Sequence, residues 1–544
     1  MLVDLEEVSA HPERTHKAAV CIAGGGVAGL VLATTLAKAG IDVHLLEAGG
    51  LRLEDRSQTI YNAEMASTTH AGTTVGRFRV FGGTSTRWGG QLLPYSSEVF
   101  CPPATLLSPR WPLTSDTLEP FYPRIEKLLG ANHLPFTTEL YDHLGMPVPA
   151  EFDQDSDVVL RFSKWAPFSH RNLAQTLGRA AIASQKITVY LHANLVECLL
   201  SPDNPRIDGF VVRNYKGDNF RFEAHEYVMA TGTIETSRLL LASRRVSVNG
   251  LGNTHDQVGR GLHDHVSLRV AAVTGEARHK ALSWFGPFLV GGTTHVGRIE
   301  ASTILRERLG LLAVQAHFTI EEPEDSGFFV ARHLLRSMQR GGLCSAIVDN
   351  LPRLPSASWD IARLMWTAKI RKRRAVSSRA VMPLEILCEQ RPRPENRILL
   401  VEGARDALGM LKAAVDWRVG SDETRSMLRY AKWLQVKFKS LGAGLASFRT
   451  DLTDEANIHL PDIRDNNHPM GGTVMGSDPK RAVVDTDLKI HGALNMSIAS
   501  CSTFPGGGSS NPTFTLIALT LRLAERLKRT LSHSTAHGAS SILV

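Results

Sequence analysis

The apolar positions of this chain fall into two kinds of segment: short runs that end on glycine, and longer stretches with helical spacing. Residues 17–50, KAAVCIAGGGVAGLVLATTLAKAGIDVHLLEAGG, hold both. The run Ala18 to Ala23 predicts a strand, Gly24-Gly25-Gly26-Val27-Ala28-Gly29 a turn, and the Ala- and Leu-rich stretch that stops at Gly40 a helix. A second strand, Ile41 to Leu46, ends on Glu47. Further on, ITVYLHANLVECLL (from residue 187) reads as strand, and so does His225 to Ala230. ATGTIETSRLLL is then a strand end, a Gly turn and a helix start capped by Thr or Ser. Residues 381–402 read as two strands around a Pro/Arg/Asn connection. Ser421 or Asp422 caps a helix with Met427, Tyr430, Ala431, Leu434, Phe438 and Leu441 on one face, and Gly442 ends it. Residues 327–375 have a helical pattern that carries Trp359 and Trp366. The last helix starts at Asn511 as N-cap with Pro512 in its first position. Ile517, Leu521 and Ala524 give it one apolar face, and Leu516, Leu519, Leu523 and Leu527 extend that face nearly all round, as for a buried helix. From Thr530 onward the chain reads as frayed.

These elements predict an α/β chain (α+β overall): a Rossmann-like, doubly wound nucleotide domain with a second domain inserted into it. The nucleotide domain takes residues 16–130, 187–265 and 465–530. The inserted domain takes 131–186 and 266–464, of which 266–464 lack glycine-rich turns, and 531–544 form a tail. The inserted domain is expected on an antiparallel sheet flanked by helices, covering the ligand and shaping a substrate pocket. A length of 544 residues, 43% of them apolar, suits two or more buried cores. No internal repeat or low-complexity segment is present.

Charge changes this picture little. The net charge is +7, but most Lys and Arg are scattered, and the one dense run, Lys369-Ile370-Arg371-Lys372-Arg373-Arg374, reads as a solvated helix end or loop. An anionic membrane surface or an acidic partner is the alternative reading of that run, and nucleic acid is not expected. The six cysteines (21, 101, 198, 344, 388, 501) are far apart with no CxxC pair, which points to buried thiols in a reducing compartment. The N-terminus has acids where a secretion signal needs a basic start, and no run approaches 18 apolar residues. A soluble, cytoplasmic protein without a transmembrane segment is expected.

The chemistry begins at the first turn. Strand, G-x-G-x-x-G, helix, strand and acid form a dinucleotide cradle. Gly24 allows the tight turn, Gly26 lets a pyrophosphate approach the backbone, and Gly29 lets helix and strand pack closely. The helix N-terminus offers N–H groups to the diphosphate, and Glu47 can accept from both ribose hydroxyls. Within residues 76–92, GRFRVFGGTSTRWGGQL, Gly82, Gly83, Gly89 and Gly90 enclose three hydroxyl residues and Trp88, a bare backbone suited to a flat ring or a phosphate. The positive end of the last helix points at the 505–511 loop and favours a ligand that becomes anionic, such as a reduced flavin. His468, in NHPMGG, is by itself a turn residue, a metal ligand or a base. His263 and His265 are a metal pair without a third partner and read as structural or pocket-edge; no metal is expected.

The ordered set GGGVAG with Glu47, GGTSTRWGG, ATGTIETSRLLLAS, QVGRGLHDH (257–265), CEQRPRPENRILL, HPMGGTVMG and STFPGGGSSNPTFTLIALTLRLA resembles the glucose–methanol–choline (GMC) oxidoreductases. WPLTSDTLEPFYPRIEKLLG (111–130) and the TSTRW spacing are similar to the branch of pyranose oxidases, glycoside 3-oxidases and bacterial sugar dehydrogenases. The resemblance implies FAD as cofactor, held by Gly24, Gly26, Val27, Ala28, Gly29, Glu47, Ala48, Arg79, Gly82, Gly83, Thr84, Ser85, Trp88, Gly89, Gly90, Val196, Ala230, Thr231, Gly232, Ser500, Pro512 and Thr513. It implies oxidation of a CH–OH group of a sugar, glycoside or other alcohol, with hydride passing to flavin N5. His468 takes the hydroxyl proton and Asn511 holds the oxygen. An imidazole with a pKa near 6.5 suits that task. The acceptor that reoxidises the flavin is oxygen or another oxidant. A lyase of the same fold, as in hydroxynitrile lyases, is the alternative activity. Two positions depart from the pattern. Arg87 stands where some pyranose oxidases have the His that tethers FAD, so non-covalent FAD is expected, and Ser500 stands where many members have Asp. The aromatics Trp284, Phe285, Phe288, Phe318, Phe328 and Phe329 are candidates for core or for stacking on a sugar ring.

Overall fold

The computed structural model describes residues 1–9, 15–340, 343–442, 446–453 and 462–540. Residues 541–544 of the expected tail lie outside them. The first sheet grows outward from Thr15–Ala23, whose apolar half is buried on both faces. On one side follow Val43–Leu46, Ile187–Leu191 and Leu2–Asp4, all parallel. On the other side Asn219–Met229 pairs in parallel along its length. The far edge of that long strand is shared: its start pairs antiparallel with Ile207–Arg213, which pairs with Asn194–Leu200, and its end pairs in parallel with Met496–Ile498. The stretch read from sequence as one strand at 187–200 is therefore two. His192, at φ +51°, breaks it and sends the halves to opposite edges of the sheet.

The helix Val27–Ala37 leaves the glycine turn with every residue from Ala28 to Leu36 buried, because it is enclosed between the sheet and the C-terminal helix Thr513–Ser540. That C-terminal helix starts one residue later than expected. Pro512, not Asn511, precedes it, and Leu516 N–H donates to the Pro512 carbonyl. The helix also runs on to Ser540, past the position where fraying was expected.

The second sheet is antiparallel throughout, with the order Ser447–Phe448, His265–Val273, Met382–Glu389, Val314–Phe318, Thr293–Ala301, Val158–Trp165 and Gln91–Leu92. Its strands alternate cleanly. Val266, Leu268, Val314, Ala316, Leu384, Ile386 and Cys388 face a core shared with the helix Ser421–Ser440, whose N-cap is Gly420 rather than Ser421 or Asp422. The opposite face carries Ser163, Trp165, Arg298, Gln315, His317 and Glu385. Two short strands cross the expected boundaries: Leu2–Asp4 joins the first sheet, and Gln91–Leu92 the second. Arg397–Arg405, Leu411–Asp416 and Glu64–Met65 form a small third sheet.

The helical stretch comprises Gly327–Arg340, Leu343–Asn350 and Leu354–Arg371. Leu354–Arg371 presents Trp359, Met365, Trp366 and Ile370 to solvent. The basic run divides where this helix ends. Lys369, Arg371 and Lys372 are exposed, whereas Arg373 donates to the Leu282 carbonyl at 3.1 Å and Arg374 turns inward. The expectation of a solvated run therefore fails for its second half, because the αL residue Lys372 (φ +51°) reverses the chain. No described helix is long and apolar enough to cross a membrane.

Candidate active site

The cradle lies at the carboxyl ends of the first sheet. Gly24 sits at φ +107°, and a Cβ there would stand 2.4 Å from the Ala230 carbonyl oxygen, so only glycine passes between the two strands. At Gly29 a Cβ would stand 1.8 Å from the Gly24 carbonyl oxygen, and helix and turn close on each other. Gly26 is different. A Cβ built on it meets nothing nearer than the Gly83 Cα at 4.0 Å, so its bare face looks into open space. Gly83, at φ +55°, faces it from the 76–92 segment. Glu47 is buried and accepts Gly25 N–H at 2.9 Å and Gly49 N–H at 2.8 Å, one on each oxygen, which keeps a second lone pair on each for a ribose. Burial raises its pKa, and those hydrogen bonds and Arg79 oppose the rise.

The cavity of about 240 Å³ here is lined by Gly24, Gly26, Val27, Ala28, Glu47, Ala48, Arg79, Gly83, Thr84, Ser85, Trp88, Ala230, Thr231, Gly232, Ser500, Pro512, Thr513 and His468 among the expected residues. The rest of the expected set packs on protein instead. Gly29 packs on Gly24, Gly82 on Ala174, Gly89 on Trp165 and Gly90 on Arg171. Leu195, not Val196, lines the wall, since neighbours on a strand point to opposite faces. Ser500 spends its hydroxyl on Ser502 N–H, capping a short turn. Sequence reasoning missed Tyr61, Arg77, Glu235 and Arg238 in the wall. Glu235 lies 3.2–3.8 Å from these arginines and Arg79. Arg77 Nη1 and Arg79 Nε are buried without a hydrogen-bond partner. Spare cationic donors, a bare glycine face and the start of the C-terminal helix at Thr513 fit a dinucleotide diphosphate.

His468 stands at the other end. Its backbone N–H donates to both oxygens of the buried Asp264. Its Nδ1 lies 3.0 Å from Nδ1 of His265, and its Nε2 lies 3.1 Å from Nδ2 of Asn511. The partners assign the protons. His265 Nε2 faces the Gly507 and Gly508 carbonyls at 3.1 and 3.0 Å, which only accept, so Nε2 carries the proton and Nδ1 of His265 is the acceptor. His468 Nδ1–H therefore donates to His265, and His468 Nε2 presents a lone pair beside Asn511. Burial, then His265, then the Arg298 guanidinium hold the His468 pKa well below the usual histidine range, so the ring is neutral. Burial lowers His265 as well. His265 thus belongs to the site rather than to its edge. Its signal was the HDH of 263–265, whose first histidine instead donates Nδ1–H to the Gly261 carbonyl.

Two sets of side chains have the composition of metal sites, Asp264/His265/His468 and His70/Asp264/Asp465. Hydrogen bonds account for both. Asp264 receives His70 Nε2 at 3.1 Å and the backbone of His265 and His468, and Asp465 receives the N–H groups of Ala71 and Gly72.

Site and fold together define a flavin-dinucleotide oxidoreductase. Residues 392–520 match the family described as GMC oxidoreductase, and residues 17–74 match the family described as FAD binding domain. The chain is 24% identical to the fructose dehydrogenase large subunit of Gluconobacter japonicus, over 94% of this chain and 98% of that one. It is 24% identical to the 6'''-hydroxyparomomycin C oxidase of Streptomyces lividus, over 96% and 93%. Its fold is similar to that of a formate oxidase from Aspergillus oryzae RIB40, with a TM-score of 0.58 at 16% identity over 95% and 98% of the two chains. Residues 392–520 thus carry a GMC oxidoreductase domain, and with the FAD-binding match they make the chain an FAD-dependent enzyme acting on CH–OH donors.

Proposed function

We propose that the protein oxidises a hydroxyl of a sugar, glycoside or related alcohol, with His468 as the proton acceptor and FAD bound non-covalently. The observation that carries the assignment is the hydrogen-bond chain from the Gly507 and Gly508 carbonyls through His265 to His468, which leaves Nε2 unprotonated, its lone pair accepting from Asn511 Nδ2. FAD, when bound, supplies the hydride acceptor. Asn511 Nδ2, now 3.1 Å from Nε2, is placed to hold the substrate oxygen as the proton moves to Nε2. The neutral resting state means that Nε2 is available as a base at neutral pH. His265 then accepts from the Nδ1–H of the imidazolium. Asp264 fixes the loop through two N–H bonds, so the base does not swing away from the substrate.

Relatives named for fructose and for 6'''-hydroxyparomomycin C, each matching nearly the whole chain, support a sugar-like donor. Non-covalent FAD rests on Arg87, which stands before Trp88 and stacks over Phe78 at 5.2 Å. Six free cysteines support a reducing, cytoplasmic setting. The test is anaerobic bleaching of the flavin by a panel of sugars, glycosides and alcohols, followed with His468→Ala. Bleaching by the parent and its loss in the variant at unchanged flavin content is the expected result. A variant that reduces its flavin at the parent rate removes His468 as the base.

A further inference from the structure

A second cavity, of about 890 Å³, lies between the polar face of the second sheet, the segment from Trp165 to Arg179 and the helices Gly327–Arg340 and Leu354–Arg371. Its wall contains six arginines, Arg171, Arg179, Arg298, Arg332, Arg336 and Arg374, and no Asp or Glu. Arg179 and Arg336 are exposed at the rim, and solvation accounts for them. Arg171 and Arg298 are buried, and Arg374 turns in from the basic run.

The buried members are only partly answered by carboxylates: Glu300 and Glu385 favour the charged Arg298 from outside the cavity wall, whereas the charges that act on Arg171 are those of Arg336 and Arg374. Arg298 donates through Nε to Ser163 Oγ at 3.2 Å, and among the described residues it forms no ion pair. Arg171 spends Nε on the Ala166 carbonyl at 2.7 Å and lays its guanidinium over Phe168 at 3.8 Å, again with no ion pair among the described residues. Glu322 is the acid that offsets Arg374, but it does not line the cavity, and one of its oxygens accepts Ser377 N–H at 3.3 Å. Like charges enclosed together repel, and burial weakens the solvation that would screen them. Burial and the neighbouring Arg336 and Arg374 push Arg171 down to about 10. Such a cluster is stabilised by an anion.

The cavity adjoins the reacting end of the cradle. Gln339, in its wall, donates to the Trp88 carbonyl at 3.1 Å, and Trp88 Nε1 donates to the Arg171 carbonyl at 2.7 Å. Arg298 is near enough to His468 to depress its basicity. Trp165, Phe168, Phe285, Phe318 and Phe328 add apolar wall, and the volume is in the upper range for small-molecule sites.

We propose that this cavity binds the anionic group of the substrate, so that the alcohol oxidised at His468 also carries a carboxylate, a phosphate ester or a sulfate ester. Guanidinium forks match all three oxyanions, and Arg298, Arg171 and Arg374 are the anchoring residues. The proposal rests on the reading of His468 as the base for the position of the hydroxyl, but the anion site stands on the arginines alone.

The experiment uses the FAD-loaded protein and has two arms. In the first, inorganic phosphate, sulfate and glutarate are titrated by calorimetry and by perturbation of the flavin absorbance, for the parent, Arg298→Gln/Arg374→Gln and Arg332→Gln/Arg336→Gln. Flavin content and melting temperature report folding. Saturable binding of at least one anion that weakens tenfold or more in Arg298→Gln/Arg374→Gln is expected, with weakening by added NaCl. The Arg332→Gln/Arg336→Gln variant, which leaves Arg171, Arg298 and Arg374 in place, serves if the first variant does not fold, and it is expected to weaken binding about threefold. Absence of saturable binding in the parent, or equal binding in all folded variants, overturns the proposal. In the second arm, donors that differ only in charge (glucose, glucuronate and glucose 6-phosphate; galactose, galacturonate and galactose 6-sulfate) are compared by anaerobic flavin bleaching. A kcat/KM at least tenfold higher for an acidic member, lost through KM in the variants, is expected, and the preferred member separates carboxylate from phosphate and sulfate. Neutral donors that perform as well as acidic ones overturn the proposal and leave the alcohol-oxidation reading intact. Anion binding without flavin bleaching by any donor counts against that reading and not against the anion site.

Discussion

The two sheets hold their chemistry in different ways. In the first, the ligand site is built from backbone: Gly24, Gly26 and Gly83 clear space, and the strand ends place N–H groups around it. In the second, the site is built from side chains that alternate along strands, such as Arg298 and His317, and from Arg171, Arg332 and Arg374 on separate segments. A backbone-built site is contiguous in sequence and restricts residue type, because only glycine fits. A side-chain-built site is assembled across long separations, and each of its residues has an ordinary alternative role. His468 belongs to both kinds, since its loop is glycine-rich while its proton state is set by His265, 203 residues away.

The comparison breaks most sharply at His468. His468→Ala should lower the rate of anaerobic flavin reduction by about 10²–10⁴-fold with flavin content preserved, the usual range for a general base. His265→Ala is expected to act in the same direction but less, because it removes the acceptor that orients the ring and not the base itself. Stopped-flow absorbance measures both.

Buried charge in the second domain sharpens the contrast from the other side. Lys164 is fully buried and pairs with Glu126, and it also donates to the Asn132 carbonyl at 2.9 Å. Glu126→Gln should cost about 3–5 kcal/mol, as for any buried pair with one partner removed, read by urea unfolding, with donor preference unchanged. Neutralising Arg374 should do the reverse, weakening anion binding with little loss of stability.

In the cradle, Gly83→Ala places a Cβ 3.0 Å from the Gly26 Cα at a left-handed φ. The strain is about 1–2 kcal/mol, so FAD affinity should fall about tenfold by fluorescence titration, while anion binding at the arginine cavity is retained.

The smallest effects concern pH. His44 and His263 are lowered to about 4, and His295 to about 3, each mainly by burial. Between those values and 6.5 the unfolded chain binds more protons than the folded one, so stability rises with pH across that window and falls as pH drops through it. Melting temperature should decline steadily from pH 6.5 toward 4. The acid limb of kcat/KM should lie below 6.5, because His468 is depressed. Arg298→Gln, which removes a nearby positive charge, should move that limb upward. Histidine 265, Asp264 and the Arg298 guanidinium are the charged or titratable groups that bear on it.

The pattern of legibility follows the same division. The strand–turn–helix at 15–37 and the acid at Glu47 were readable because one local motif demands them. The C-terminal helix was readable from its apolar stripe, but its start was misread by one residue, because Asn511 turns its amide to His468 instead of capping. The split of 187–200 into two strands was hidden in His192, since a lone positive φ at a non-glycine residue leaves no trace in composition. The fate of Arg373 and Arg374 was hidden for a related reason: a charge run looks the same whether its end is solvated or folded inward.

Gln339 joins the two cavities. Its side chain donates to the Trp88 and Ser85 carbonyls on the cradle side, and its own carbonyl accepts from Asn172 Nδ2. The loop that covers the flavin site is thus fastened to the helix that walls the arginine cavity. If loading the cradle tightens the binding of an anion across such a partition by some factor, the anion must tighten the binding of the cofactor by the same factor. An anionic substrate, as proposed above, would then act as a clasp on the cofactor.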